Sequence, residues 1–444
     1  MLRYSLSVAL LLVALTVLAA CGGSATPAAS PEQPNTAADQ TAEQPANADV
    51  GKVQILGPFG GADEAAFNKV IEVFEAQNPG IDVVYTGSPD FDTQINVRVE
   101  AGDPPDIAAF PQPGAVARFA GEEQLVPLWD SALAIYDSNY SPVWKELASV
   151  DGTPYGMFHR VNAKGWIWYN KPVFTAAGYE VPATWKELQA LTEQMLASGT
   201  APWCDGIEAG SATGWKGTDW IENFLLRTQP LGVYDKWAAG EFPFDSPEVR
   251  GAFAELEKIW MAEGMTYGGP PTVALTNVPQ AAQWLFDDPP KCWLHMQGSF
   301  VTGLFQDQVR ADLDSNLGVF TMPMIDTSLP ATLEIGGDQF VVFKGQDRPE
   351  VRKFIEFLGT VDSVKPWAQM GSGLFPHKGQ DYTWYQTELE RTMVKALAEV
   401  QAARFDGSDA MPSKLNLAFW KGITDWVSGA GDLDTVLAEI DAAK

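Results

Sequence analysis

The 444-residue chain is poor in the residues that most enzyme and metal chemistry relies on. It has three histidines, His159, His295 and His377, and three cysteines, Cys21, Cys204 and Cys292. The histidines stand alone. No H-E-x-x-H or C-x-x-C pattern occurs, so a zinc site has little sequence support. There is no G-x-S-x-G elbow and no Walker loop. Basic residues are also few. Lys and Arg number 29 against 57 Asp and Glu, a formal net charge of −28. That sign is the opposite of what a nucleic-acid partner needs. After residue 20 no apolar run reaches the ~18 residues that span a bilayer. Glycoside-cleaving carboxylate pairs stay open, because so many acids supply many pairs and sequence hides their separation.

What is present begins at the N-terminus. Residues 1–20 read MLRYSLSVALLLVALTVLAA: a positive start at Arg3, an apolar run, then small residues. This is the pattern of an export signal. The Leu-Ala-Ala-Cys that follows resembles the bacterial lipobox. The resemblance implies acylation of Cys21 and cleavage just before it. The alternative is a plain signal peptide with an incidental cysteine. Residues 21–50 contain no aromatic residue and no Lys or Arg. Such a segment buries too little apolar surface to fold and reads as a tether. In an exported protein the remaining Cys204 and Cys292 form a candidate disulfide, with two buried free thiols as the alternative.

The remaining ~390 residues suffice for two domains or one large one. Val53 to Leu56 is a strand pattern, followed by the loop GPFGGADE. Phe67, Val70, Ile71 and Phe74 then fall at helical spacing, Asn78-Pro79-Gly80 stops the helix, and IDVVY starts a second strand. This βαβ opening predicts an α/β sheet. Thr184 to Glu187 is a capping-box start. Apolar stripes at 249–260, 351–358 and 436–440 predict further helices. Gly165–Tyr169, Leu317–Phe320 and Phe340–Phe343 predict strands. Alternation runs to the C-terminus, so two domains would be interwoven rather than consecutive.

From residue 50 onward the chain resembles the extracellular solute-binding proteins of ABC sugar importers. The segments that carry the resemblance are AGDPPDIAAF, PYGMFHRVNAKGWIWYN, HMQGSFVTG, IGGDQFVVF and PEVRKFIEFL, in that order. APWCDGIEAGSATGWKGTDWIENFLLR and KCWLHMQGSF are similar to an α-glucoside-binding branch, whose ligands are of the maltose, trehalose or sucrose type. GPFGGADE departs from that pattern, being short with few polar side chains. The resemblance implies an α/β, two-lobed periplasmic-binding-protein fold (type II, maltose-binding-protein-like) with a hinge. Lobe one would hold 51–160 and 322–364, and lobe two 161–321 and 365–444. It also implies no catalysis and no cofactor or metal. The partners would be an oligosaccharide and a membrane permease, for a monomer exported and anchored to the outer face of the membrane by its lipid.

Sugars present apolar faces for aromatic rings and hydroxyl edges for planar polar groups. The family's cleft positions therefore map onto Phe110 and Gln112, Asn162 and Lys164, and Trp215, Lys216, Asp219 and Trp220. They continue at Gly298 and Phe300, Gly337 and Asp338, Gly373 and Phe375, and Trp420. Each has a bland alternative: a loop anchor at Phe110, a surface ion pair at Lys164, core packing at Trp220 and Trp420, a turn aspartate at Asp338.

Overall fold

The structure is a computed structural model that describes residues 51–371, 373–399 and 402–444. The export signal, the tether and Cys21 lie outside the described residues. Among the described residues no helix is long and apolar enough to cross a membrane.

The chain opens as its periodicity requires. Strand β1 (Gly51–Gly57) leads through Gly60 into helix α1 (Gly61–Gln77), which buries Phe67, Val70, Ile71 and Phe74. Strand β2 (Ile81–Gly87) returns parallel to β1, with Val53 beside Val83 and Ile55 beside Tyr85. Helix α2 (Phe91–Glu100) and strand β3 (Ile107–Phe110) follow, and β3 pairs with the other side of β1. The right-handed crossover expected of parallel strands carries the helices over the sheet faces.

Strand β4 (Gly156–Ala163) ends the first passage through this sheet, and strand β5 (Trp166–Asn170) begins a second sheet. Between them Gly165 has φ of 72°, and a Cβ there would meet Asn223 Oδ1 at 2.0 Å. Only glycine fits this crossing. The second sheet is completed by β6 (Ala201–Trp203), β7 (Cys292–Gln297) and β8 (Leu317–Thr321), in the order β8-β5-β7-β6. Helix α3 (Trp215–Thr228) lies in this part of the chain.

The chain then crosses back. Strand β9 (Thr332–Val342) pairs antiparallel with β3 and with β4, and its register shifts between Gly337 and Gln339. Strand β10 (Ala402–Phe405) pairs parallel with β9, and helix α4 (Ser413–Ser428) packs back into the second core. The first sheet thus reads β10-β9-β3-β1-β2, with β4 also on β9.

Two details differ from the sequence expectation. Strand β4 runs in the first sheet as far as Ala163, past the expected boundary at 160. The segment after 365 also packs partly on the first sheet rather than wholly in the second lobe. Trp367 and Phe375 are buried there against His159, and β10 pairs with β9. Aromatic burial decides this, since Trp367 also packs edge-on to Phe59 at 5.3 Å.

The expected capping box is present. Thr184 Oγ1 accepts from the Glu187 N–H at 3.2 Å, and Glu187 Oε2 accepts from the Thr184 N–H at 3.1 Å. Cys204 and Cys292 are bridged, with Cα atoms 5.4 Å apart. The bridge ties the end of β6 to the start of β7.

Candidate functional site

A cavity of about 720 Å³ opens between the two sheets. Its floor is built by the strand crossings. Along β4, side chains alternate across the sheet, so Arg160 and Asn162 share one face, and Lys164 follows directly after the strand. All three line the cavity. Gly336, Gly337 and Asp338 reach it from β9, where the register shift turns successive residues toward the same space.

The aromatic walls come from both lobes. Phe59 projects from the turn after β1, where its N–H donates to the Tyr85 hydroxyl at 2.7 Å. Phe91 starts α2. Trp215 starts α3 with its ring 5.9 Å from that of Phe300. Trp420, on α4, is only 3% exposed yet lines the cavity. Gly214, with φ of 112°, lets the chain pass this tryptophan, because a Cβ there would meet the Trp420 carbonyl at 2.2 Å.

Both cations of the site are held by protein carboxylates. Arg160 Nε donates to Asp338 Oδ2 at 3.0 Å, and its Nη1 donates to Asp63 on α1. The Arg160 guanidinium also lies 4.6 Å from the Phe59 ring centre. Lys164 Nζ donates to Asp219 Oδ1 at 2.8 Å and to Asp406. Burial works against these charges, but the paired carboxylates outweigh it and raise the pKa of both Arg160 and Lys164. Burial raises Asp338, with Arg160 opposing. Burial likewise pushes Asp219 up to about 6 despite Lys164. Asp406 goes the other way. Burial would raise it, but Lys164, the Asp409 N–H and the Ser408 hydroxyl hold it below the usual carboxylate range.

Three side chains on the wall are left with buried polar atoms that have no hydrogen-bond partner among the described residues. They are the Gln112 Oε1 and Asn162 Oδ1 acceptors and the Trp420 Nε1 donor. Other buried atoms of the described residues also lack partners; these three belong to side chains that line the cavity, where a hydroxylated ligand would supply them.

The residues singled out from sequence divide accordingly. Gln112, Asn162, Lys164, Trp215, Phe300, Gly337, Asp338 and Trp420 line the cavity. The others do not, for reasons of packing. Phe110 is 1% exposed and packs edge-on to Phe91 at 5.0 Å. Asp219 lies beneath the wall, bonded to Lys164. Lys216 is fully buried 3.5 Å from Asp205, and Trp220 donates to the same carboxylate at 2.6 Å. Gly298 clears space for Phe300, whose ring a Cβ would meet at 2.5 Å. Phe375 is core beside His159, and a Cβ at Gly373 would meet the Phe375 ring at 2.8 Å.

Sequence reasoning missed Phe59, Asp63 and Arg160. Phe59 and Asp63 lie in GPFGGADE, whose sequence is short with few polar side chains, and α1 begins inside it at Gly61. Arg160 was signalled by strand period, two residues before Asn162 and four before Lys164. Asp219, Glu222 and Asp406 also approach within 4.8 Å of one another. Lys164 Nζ and the Gly407 and Ser408 N–H groups already donate to these carboxylates. That is how a protein satisfies buried acids without a metal shell.

The family of bacterial extracellular solute-binding proteins matches residues 60–365. The chain belongs to that family. It is a binding protein, not an enzyme. It is 36% identical over 422 residues to the osmoprotective compounds-binding protein GgtB of Synechocystis sp., covering 95% of this chain and 94% of that one. It is 36% identical over 388 residues to the alpha-glucosides-binding periplasmic protein AglE of Rhizobium meliloti, covering 86% and 84%. Among solved structures it superposes on the bacterial solute receptor AcbH with a TM-score of 0.75 at 19% identity, covering 89% of this chain and 97% of that one. It superposes on maltose-bound MalE3 of T. maritima with a TM-score of 0.69 at 18% identity, covering 88% and 98%. These structures share the two-lobed, maltose-binding-protein-like fold.

Proposed function

We propose that this chain is the lipid-anchored substrate-binding subunit of an ABC importer, and that it captures an oligosaccharide, an α-glucoside such as trehalose, maltose or sucrose. The observation that carries the ligand class is the set of unsatisfied Gln112, Asn162 and Trp420 atoms on a cavity walled by Phe59, Phe91, Trp215 and Phe300. Rings cover the apolar faces of a sugar, and the planar polar groups take its hydroxyls. The name of the rhizobial relative, an alpha-glucosides-binding periplasmic protein, supports the α-glucoside class.

Lobe one is assigned to 51–163 with the β9 and β10 strands, and lobe two to the second sheet with α3 and α4. Sugar touches both lobes, so it favours the closed state. The closed monomer then docks on the permease and releases its cargo. Acylation of Cys21 and the 21–50 tether keep it near that partner at the outer face of the membrane.

Calorimetric titration with the three disaccharides tests the ligand class. One of them binds at one-to-one stoichiometry, and the Gln112→Ala/Asn162→Ala variant loses that binding while keeping its thermal transition. Absence of heat with all three overturns the α-glucoside reading. Cys21→Ala tests the anchor, since it should release the protein from the membrane fraction.

A further inference from the structure

The charge lining the cavity is unbalanced, and this inference rests on the sugar-site reading above. Among the described residues only two cations line it, Arg160 and Lys164, and each is already held by two carboxylates. Neither is left to neutralise a ligand. Asp90, Asp92 and Glu208 also line the cavity, and none of them is ion-paired among the described residues.

These three acids come from both lobes. Asp90 and Asp92 lie at the start of α2. Glu208 lies in the loop after β6, where its Oε1 accepts from the Gly210 N–H at 3.0 Å. The two loops touch: a Cβ on Gly210 would lie 3.0 Å from Asp90 Oδ1. Asp90 and Glu208 therefore meet at this loop contact, Asp92 lines the same cavity, and the three add negative charge with no paired cation to its lining.

The unsatisfied atoms give a second, independent indication. Two of the three, Gln112 Oε1 and Asn162 Oδ1, are acceptors that need donors, and the third, Trp420 Nε1, is a donor. A hydroxyl or an ammonium supplies donors. An ionised phosphate or carboxylate supplies only acceptors. Burial lifts Asp92 to about 6, so it is still mostly ionised at neutral pH. Burial, and then the Asp406 carboxylate, also raise Asp409, with Lys164 opposing.

We propose that Asp90, Asp92 and Glu208 make the cavity a charge filter. It admits neutral saccharides, holds aminated ones at least as tightly, and excludes phosphorylated or carboxylated ones.

The test compares trehalose, 6-amino-6-deoxytrehalose and trehalose 6-phosphate by titration of the purified chain near neutral pH. The phosphate ester should bind at least about 100-fold more weakly than trehalose, as expected for uncompensated like charges. The amine should bind no more weakly than trehalose. Asp90→Asn/Asp92→Asn/Glu208→Gln should narrow the gap about tenfold, and added salt should narrow it as well. Trehalose and its phosphate binding equally would overturn the filter and leave the sugar-site reading standing. The amine binding without trehalose would support the filter and overturn the neutral α-glucoside reading.

A sugar-free measurement stands beside these. The fluorescence quenching lost in Trp215→Phe reports on the cavity. The filter predicts that caesium causes this quenching and iodide does not. Equal quenching by the two ions would overturn it whatever sugar binds.

Discussion

Lys164 Nζ lies 2.8 Å from Asp219 Oδ1 beneath the cavity wall, and the same ammonium reaches Asp406. Lys164 sits at the first crossing between lobes, Asp219 on α3 and Asp406 just after β10. Its backbone N–H also donates to the Glu334 carbonyl on β9 at 2.8 Å. One side chain thus ties three crossing segments together. Lys164→Ala leaves two buried carboxylates without their cation and should cost about 3–5 kcal/mol of stability. Adding Asp219→Asn and Asp406→Asn should restore part of the loss. Denaturant unfolding of the single and triple variants measures both effects. Equal stability of Lys164→Ala and the parent chain would contradict this tie.

Trp420 offers a ring face and an unpaired indole N–H. Trp420→Phe keeps most of the face and removes the donor, so affinity should fall by about 1 kcal/mol, roughly fivefold. Trp420→Ala removes the ring as well and should cost about 2 kcal/mol or more. Titration of both variants with the bound sugar separates the two contributions.

Gly210 sits where the lobes touch, with φ of 60°. An alanine there would place its Cβ 3.0 Å from Asp90 Oδ1 and 3.2 Å from the Pro89 carbonyl. Gly210→Ala should therefore hinder closure and weaken sugar binding several-fold. It should lower stability by only about 1 kcal/mol, the usual cost of a side chain in this backbone conformation. Small-angle scattering with saturating sugar would show a larger radius for the variant than for the parent.

His295 is fully buried, and its Nδ1–H donates to the Cys204 carbonyl at 3.0 Å. Burial, with the nearby charge of Lys216, lowers its pKa to about 4. A depressed folded-state pKa means the unfolded chain takes up the proton first. Its contribution to stability is therefore complete above the ordinary value near 6.5 and is lost as pH falls through about 4. The imidazole NMR signal should keep its neutral position down to that pH. A midpoint near 6.5 would contradict the buried placement.

The bridge between Cys204 and Cys292 closes an 88-residue separation. Loop-closure entropy of that size corresponds to about 4.6 kcal/mol. Cys204→Ser with Cys292→Ser should lower unfolding stability by that order under oxidising conditions. The same change should appear in the parent chain on reduction.

The layout of the fold was legible wherever local periodicity and breakers agree. The α1 stripe, the stop at 78–80 and the capping box at Thr184 all form as read. The lobe boundaries were less legible, because β10 and Phe375 are placed by distant partners, β9 and His159. At the site, the Trp-rich segment 215–220 could be seen from sequence but not its orientation. Helical period turns Trp215 to the cavity and sends Trp220 to Asp205. Ion pairing also hid roles. Lys164 and Asp219 each looked like a ligand contact, and they contact each other. Arg160 went unremarked although the two-residue period of β4 placed it beside Asn162.

The most direct test of the account is intrinsic tryptophan fluorescence titrated with trehalose, maltose, sucrose and glucose, with products assayed in the same samples. Trp215 and Trp420 line the cavity, so the account predicts a saturable change with one α-linked disaccharide that is recovered intact. No change with any α-linked disaccharide, or the appearance of free glucose from one, would contradict it.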